Sequence, residues 1–220
     1  MLYTLQQVKD NIRNREGKRV FYLGKADRLT SEAKDFLTRE RIEILPGQAA
    51  KKERYQLLSG GYMEEKPEHM THLNAEFLVE KTHPRIVFRG AVDRLEAELL
   101  LAIPQLPMWQ AELTQALELA RKLIACDVLE QPLQEERLGG LDEGQLRARS
   151  HFPQEYYGQP HFMPQPTDQK EVLLLNRLRS LTRQVELKAV AAFPHRADLI
   201  RALNRLSSFL YILMLREKAK

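Results

Sequence analysis

From Pro84 onward, apolar residues recur at the three- and four-residue spacing that lines one face of an α-helix, and prolines cut the pattern into segments. The first segment carries Phe88, Val92, Leu95, Leu99 and Ala102 and stops ahead of Pro104 and Pro107. A second follows Pro107, with Leu113, Leu117, Ala120 and Ile124 on one face. The third starts at Asp168, where Asp168 and Glu171 have the spacing of a capping pair, and runs to Phe193 with Leu174, Leu178, Leu181, Val185 and Ala189 inward. Pro194 ends it, because proline lacks the amide hydrogen and its ring clashes with the preceding turn. The fourth, from about Arg196 to Glu217, turns Leu199, Leu203, Leu206, Leu210 and Leu213 inward. Four long amphipathic helices with short connections bury their stripes against one another as a bundle. Between Leu129 and Pro166 the chain is richer in Gln, Gly and Pro and has room for one short helix, near Asp142–Arg149.

The start of the chain has a different pattern. Arg19–Leu23 reads as a short strand, Gly24–Asp27 as a turn, Thr30 as the cap of a helix reaching about Arg41, and Ile42–Leu45 as a returning strand. Residues from Gly47 to Pro67, with Lys51–Arg54 and Ser59-Gly-Gly61, have linker composition. The expected organisation is therefore an N-terminal accessory unit with its linker over residues 1–67 and a helical domain over 68–220. The fold class is mainly α: a four- to five-helix bundle with a small N-terminal α/β unit.

Composition removes several alternatives. With 43% hydrophobic and 29% charged residues the chain can build a core, which a disordered sequence cannot. The single cysteine, Cys126, rules out a disulfide framework and suits a reducing compartment. Charges at Lys9, Asp10, Arg13 and Arg15 interrupt any secretory leader. The longest apolar run, Phe209–Leu215, falls far short of the roughly 20 residues that span a bilayer. A cytoplasmic protein is expected. The net charge of +4 is spread along the chain and by itself says little about partners.

On the third helix, Arg179, Arg183 and Glu186 stand at spacings of four and three, in a stripe turned away from the leucines. Paired guanidiniums oriented by a carboxylate suit a polyphosphate; the same stripe also suits a solvated face with an internal salt bridge, and alone it favours the second reading. On the fourth helix, Asn204, Ser208 and Tyr211 form a narrow polar stripe in an apolar run, which faces either a lined cavity or a neighbouring helix. Gly24-Lys25 follows a strand but lacks the upstream glycine of a phosphate-cradling loop. The six histidines are scattered, and His69 and His72 have no nearby cysteine or acidic pair to complete a metal tetrad.

Taken in order, these segments resemble the corrinoid adenosyltransferases. Leu203-Asn-Arg-Leu-Ser-Ser-Phe-Leu-Tyr211 is similar to the Leu-Asn-Arg-Leu-Ser-Asp-x-Leu-Phe signature of the propanediol-utilization type. Arg179-Ser-Leu-Thr-Arg183-Gln-Val-Glu186 resembles that type's Arg-x-x-x-Arg-Arg-x-Glu segment, and His83–Asp93 its Asp-Pro-Arg…Gly-Thr-Val-Asp segment. The ethanolamine-utilization branch is closer still. Arg28–Leu37, Met70-Thr-His-Leu-Asn-Ala-Glu76, Leu138-Gly-Gly-Leu-Asp142, Ser150-His151 and Arg201–Ser208 all look like it, so the resemblance covers nearly the whole chain. There are departures. The linker Pro46–Pro67 has no cysteine where that branch often carries a metal-binding cysteine cluster, so no metal site is carried over. Ser208 stands where the propanediol type has Asp, and that type's Thr-Lys-Thr-Gly-Asp loop is missing, with Thr71-His72 and Lys81 as candidate substitutes.

The resemblance implies a bundle of the cobalamin adenosyltransferase type that moves the 5′-deoxyadenosyl group of ATP to the cobalt of a reduced corrinoid. It implies Arg179 and Arg183 on the triphosphate with Mg²⁺, Asp93 pairing with Arg179, and Glu186 and Asn204 positioning ribose and phosphate. Arg85, Lys81, Thr71, His72, Arg205 and Ser208 would complete the nucleotide and corrinoid contacts. Phe162, in the His161-Phe-Met-Pro164 loop, is the candidate wedge beneath the corrin ring, with Phe152 in reserve; simple loop packing is the plain alternative. An electron-donating reductase and a homo-oligomer, a trimer by preference with sites between subunits, are implied partners. Neither nucleic acid nor a membrane is expected as a partner, and a bacterial microcompartment is a candidate address. Two other readings stay open: a non-catalytic scaffold derived from the enzyme, and a basic helical module binding nucleic acid through Arg177, Arg179, Arg183 and Arg201.

Overall fold

A computed structural model of the chain describes residues 1–15, 18–47, 55–63 and 65–220. It divides into two compact units, Met1–Gln56 with Gly60–Lys66 and Leu57–Ser59 with Pro67–Lys220.

In the first unit β1 (Leu2–Tyr3), α1 (Leu5–Asp10), β2 (Arg13–Arg15), β3 (Lys18–Leu23), β4 (Arg28–Leu29), α2 (Ser31–Arg39) and β5 (Glu43–Pro46) follow in order. β3 and β5 run parallel, with Val20 opposite Glu43 and Leu23 opposite Pro46, and α2 is the crossover between them. That is the β-α-β unit the sequence led us to expect. β2 extends the sheet antiparallel to β3, and β1 pairs in parallel with β4. Thr30 opens α2 by accepting the Ala33 amide hydrogen, and the Gly24 turn closes when Gly24 N–H donates to the Asp27 carboxylate at 3.2 Å. Val8, Phe21, Leu29, Ala33, Leu37 and Ile42 make a core of their own. In the linker, Lys51–Arg54 lie outside the described residues. Past them Tyr55–Leu57 (β6) pairs antiparallel with Tyr62–Met63 (β7).

The second unit opens on an unexpected feature. β8 (Met70–His72) and β9 (Phe77–Glu80) form an antiparallel hairpin, closed by Asn74 Oδ1, which accepts the amide hydrogens of Glu76 and Phe77 at 3.0 and 2.9 Å. The expectation that everything past the linker is helical missed it, because two short strands leave almost no periodicity to read.

From there the unit is helical: α3 (Pro84–Ala102), α4 (Gln110–Val128), α5 (Glu143–His151), α6 (Pro153–Tyr157), α7 (Lys170–Ala192) and α8 (Ala197–Lys218). Two 3₁₀ turns at Ile103–Gln105 and Pro107–Trp109 fill the proline gap between α3 and α4. α7 packs between α8 and α3, α4 packs on α3, and α5 packs on α8. Every inward residue expected on α3 and α8 is buried. Each such leucine is worth about 2–5 kcal/mol against alanine in a core of this kind. The face of α7 is rotated slightly from expectation: Val172 and Leu175 are fully buried and Leu174 is only half-buried. The expected capping pair is also corrected. α7 begins at Lys170 with no side-chain cap. Asp168 instead accepts the Gln165 amide hydrogen and pairs with Lys218. α5 does have a full capping box between Asp142 and Gln145. Among the described residues no helix is long and apolar enough to cross a membrane.

Candidate active site

A cavity of about 640 Å³ opens where α7 and α8 meet the end of α5 and the loop ahead of α7. α7 contributes Asn176, Arg179 and Arg183, and α8 contributes Ser207, Ser208, Tyr211 and Met214. Ser150 and His151 come from α5, and His161–Pro164 from the loop. Four of the residues picked out from sequence as site candidates (Arg179, Arg183, Ser208 and Phe162) thus line one space.

The two arginines dominate its charge. Both Nε and one terminal nitrogen of Arg179 donate to Asn176 Oδ1, at 3.3 and 3.0 Å. Arg183, one turn on, is exposed and makes no ion pair or side-chain hydrogen bond among the described residues. Burial, and then the neighbouring Arg183 cation, pull the Arg179 guanidinium below its ordinary pKa. Two cations one helical turn apart, with no carboxylate lining the cavity, repel each other, an arrangement that an anion would relieve. Ser207 and Ser208 hydroxyls lie on the facing helix as further donors.

Aromatic rings line part of the same cavity. Phe162 is half-buried and stacks on Tyr211 at 6.0 Å between ring centroids, and Lys218 Nζ lies over the Phe162 ring at 5.6 Å from its centroid. Tyr211 also stacks with His161. Phe152, the reserve candidate, is exposed and lies outside the cavity.

The remaining sequence candidates fall elsewhere. Asp93 is exposed on α3 and does not pair with Arg179, whose fork is already closed on Asn176. Asn204 and Glu186 bond to each other, Asn204 Nδ2 donating to Glu186 Oε1 at 2.9 Å, beside the cavity but not lining it. Arg85 is not a free ligand-binding side chain. It donates to Asp127 Oδ1 at 2.7 Å, to the Asp127 carbonyl at 2.8 Å and to Glu130 at 3.2 Å, while Arg89 takes the other Asp127 oxygen at 2.5 Å. Asp127 is fully buried, and the two arginines together supply the positive charge that its burial requires. Thr71 and His72 sit on β8, and exposed Lys81 just past β9; none lines the cavity.

Arg205 is the clearest displacement. Next to Asn204 in sequence, it points about 100° round the helix. It lines a different cavity, of about 970 Å³, with Arg137, Arg147, Arg201 and Glu143. Sequence reading undervalued Asn176 and His161: a neutral amide on a polar stripe and a loop histidine carry no spacing signal, and only the folded geometry shows what they hold.

The described residues bring together no group of three His, Cys, Asp or Glu that could hold a metal ion. Cys126 is partly buried on α4, and burial pushes its thiol pKa up, which suits an inert thiol.

Fold and site together define a helical bundle with a cavity lined by two arginines, serine hydroxyls and an aromatic loop. The chain belongs to the cobalamin adenosyltransferase family, whose model matches residues 61–217. It is similar to the corrinoid adenosyltransferase EutT of Salmonella typhimurium, 34% identical over 162 residues, which are 70% of this chain and 61% of that protein. The Escherichia coli EutT is 34% identical over 157 residues, 68% of this chain and 59% of that protein. The chain thus spans about three fifths of the length of the curated relatives it matches. Among solved structures, a variant PduO-type ATP:co(I)rrinoid adenosyltransferase from Lactobacillus reuteri complexed with ATP superposes with a TM-score of 0.53 at 16% identity. The match covers 68% of this chain and 89% of that one, a likeness of fold.

Proposed function

We propose that the chain transfers the 5′-deoxyadenosyl group of ATP to the cobalt of a reduced corrinoid, with the cavity between α7 and α8 as the site and the bundle domain over 68–220 as its carrier. The observation that carries the reading is the Arg179–Arg183 pair: two adjacent guanidiniums without a carboxylate in their cavity, which an aromatic loop also lines.

The nucleophile in this chemistry is cobalt(I) of the corrinoid substrate, which attacks the ribose C5′. A cobalt–carbon bond forms, the C5′–O bond breaks, and the electron pair leaves on the triphosphate. No general base is needed, so the protein's work is positioning and charge compensation. Arg183 and Arg179 stabilise the negative charge that grows on the leaving polyphosphate, the Arg fork matching phosphate oxygens two at a time. The cavity offers arginines and hydroxyls and no carboxylate, so Mg²⁺ would be held by the phosphates, where it would neutralise part of their charge. Phe162 would press under the corrin ring, displace the lower axial ligand and keep water out, which makes cobalt(II) easier to reduce.

ATP, a corrinoid and an electron-donating reductase are the proposed partners, and the cytoplasm, alone or within a bacterial microcompartment, is the proposed location. A homotrimer is the proposed assembly; exposed Asp93, unpaired with Arg179 of its own chain, would be available to a neighbouring copy. The N-terminal unit is proposed as an accessory domain.

The test is to incubate the protein with ATP, Mg²⁺ and chemically reduced cobalamin and follow the visible spectrum. Adenosyltransfer predicts loss of the cob(I)alamin band and growth of a light-sensitive alkylcobalamin. Binding of ATP and corrinoid without product would point to the scaffold reading, and binding of neither would reject the site.

A further inference from the structure

Tyr211 does more in the cavity than stack. Its hydroxyl lies 3.3 Å from the Phe162 amide nitrogen and 3.1 Å from His161 Nδ1, and His161 Nε2 lies 3.1 Å from the His151 carbonyl oxygen. With His161 as the neutral imidazole, these contacts fix the protons. A carbonyl oxygen can only accept, so Nε2 carries the hydrogen; a neutral imidazole then offers Nδ1 as an acceptor, which takes the Tyr211 O–H; and the phenol oxygen in turn accepts the Phe162 N–H. Donors and acceptors match one to one in a single direction, from Phe162 through Tyr211 and His161 to the end of α5. The rings add a second constraint: His161 and Phe162 both stack on Tyr211, at 5.8 and 6.0 Å, with interplanar angles of 14° and 25°.

We infer that Tyr211 and His161 are positioning residues that latch the Phe162 loop against α8 and set how far the Phe162 ring reaches into the cavity. Neighbouring elements already hold the far end of the same loop, where Asp168 pairs with Lys218 of α8. The latch acts at the other end, on the backbone of Phe162 itself. A wedge can displace a ligand only if its own backbone cannot retreat, and in a loop that rigidity must come from side chains. The role rests on the proposal that Phe162 faces a corrinoid.

Tyr211→Phe is the test, because it keeps the ring, its stacking and its volume and removes only the hydroxyl. Electron paramagnetic resonance of bound cob(II)alamin with ATP should show a several-fold smaller four-coordinate fraction than wild type. KM for ATP should hold while turnover with a weak reductant falls, and most activity should return when cob(I)alamin is supplied ready-made. His161→Ala should give a smaller effect of the same kind. Combining it with Tyr211→Phe should add nothing, since the two act in series. Amide hydrogen exchange across residues 159–164 reads the latch without any corrinoid, and exchange there should speed up in Tyr211→Phe. A four-coordinate fraction and loop protection both unchanged in Tyr211→Phe would overturn the latch. A wild type without the four-coordinate signal would instead remove the corrinoid role of Phe162, leaving hydrogen exchange to judge the latch.

Discussion

Arg179 closes its fork on the neutral side chain of Asn176, three residues earlier on the same helix, at 3.0 and 3.3 Å. A neutral acceptor satisfies the guanidinium donors and orients them, yet leaves the positive charge whole for an incoming anion. A carboxylate in that place would orient equally well and cancel the charge. Asn176→Asp should therefore keep the fold and weaken ATP binding by about tenfold, equivalent to about 1.4 kcal/mol. Calorimetric titration with MgATP checks this, and unchanged affinity would mean that Arg179 does not meet the nucleotide.

Among the described residues Arg183 has no competing partner, so its loss should fall on the ligand alone. Arg183→Ala should cost about 2.7–4 kcal/mol of barrier, the range for removing one donor to a developing anion. Arg183→Lys should rescue only part, since an ammonium is a point charge and cannot grip two phosphate oxygens at once. Steady-state rates of the two variants decide, and near-wild-type turnover in the alanine form would remove Arg183 from the mechanism.

Phe162→Ala separates ligand stripping from nucleotide binding. The ring lines the same cavity as the arginines but offers no donor to a phosphate, so ATP affinity should change little. Turnover with a weak reductant should collapse, and chemically pre-reduced cob(I)alamin should restore much of it. A four-coordinate cob(II)alamin signal that persists in the variant would shift the search to Phe152, the reserve candidate.

How far the sequence could be read depended on periodicity. α3, α7 and α8 were legible nearly to their ends, because five or more apolar residues repeat along each and prolines mark the breaks. The β8–β9 hairpin was not, since its strands are too short to repeat. Arg179 and Arg183 were readable as a pair because helical spacing puts i and i+4 on one face. Arg205 and Asn204 part in the fold, one lining the second cavity and the other bonded to Glu186, since adjacency in sequence is divergence on a helix. Asp127 was invisible for another reason. An acid at the end of an apolar helix reads as surface, and only Arg85 and Arg89, reaching across from another helix, explain its burial.

One ion pair makes stability depend on pH. Arg196 donates to Asp198 at 2.9 and 2.8 Å and Leu133 N–H adds a third bond at 2.9 Å, tying the chain after α4 to the start of α8. The Arg196 fork holds the Asp198 carboxyl well below the usual carboxylate range. With the folded-state pKa below the unfolded one, the stabilisation is fully present above the unfolded value of about 3.9 and is lost as pH falls through the folded one. Asp198→Asn should lower the melting temperature at neutral pH, and the gap to wild type should narrow as pH drops below about 4. A gap that stays constant into acid would contradict the pairing.

In the proposed reaction one cavity holds both the triphosphate and the corrinoid and joins cobalt to C5′. The most direct measurement is a single turnover with ATP carrying an isotopic label at C5′ and chemically generated cob(I)alamin, run with wild type and with Arg183→Ala. Wild type should move the label into a light-sensitive corrinoid and release the phosphate chain from the adenosyl group, and Arg183→Ala should do so far more slowly. Label that stays on the nucleotide while ATP and corrinoid are both bound, or that moves equally fast in the two proteins, would contradict the account.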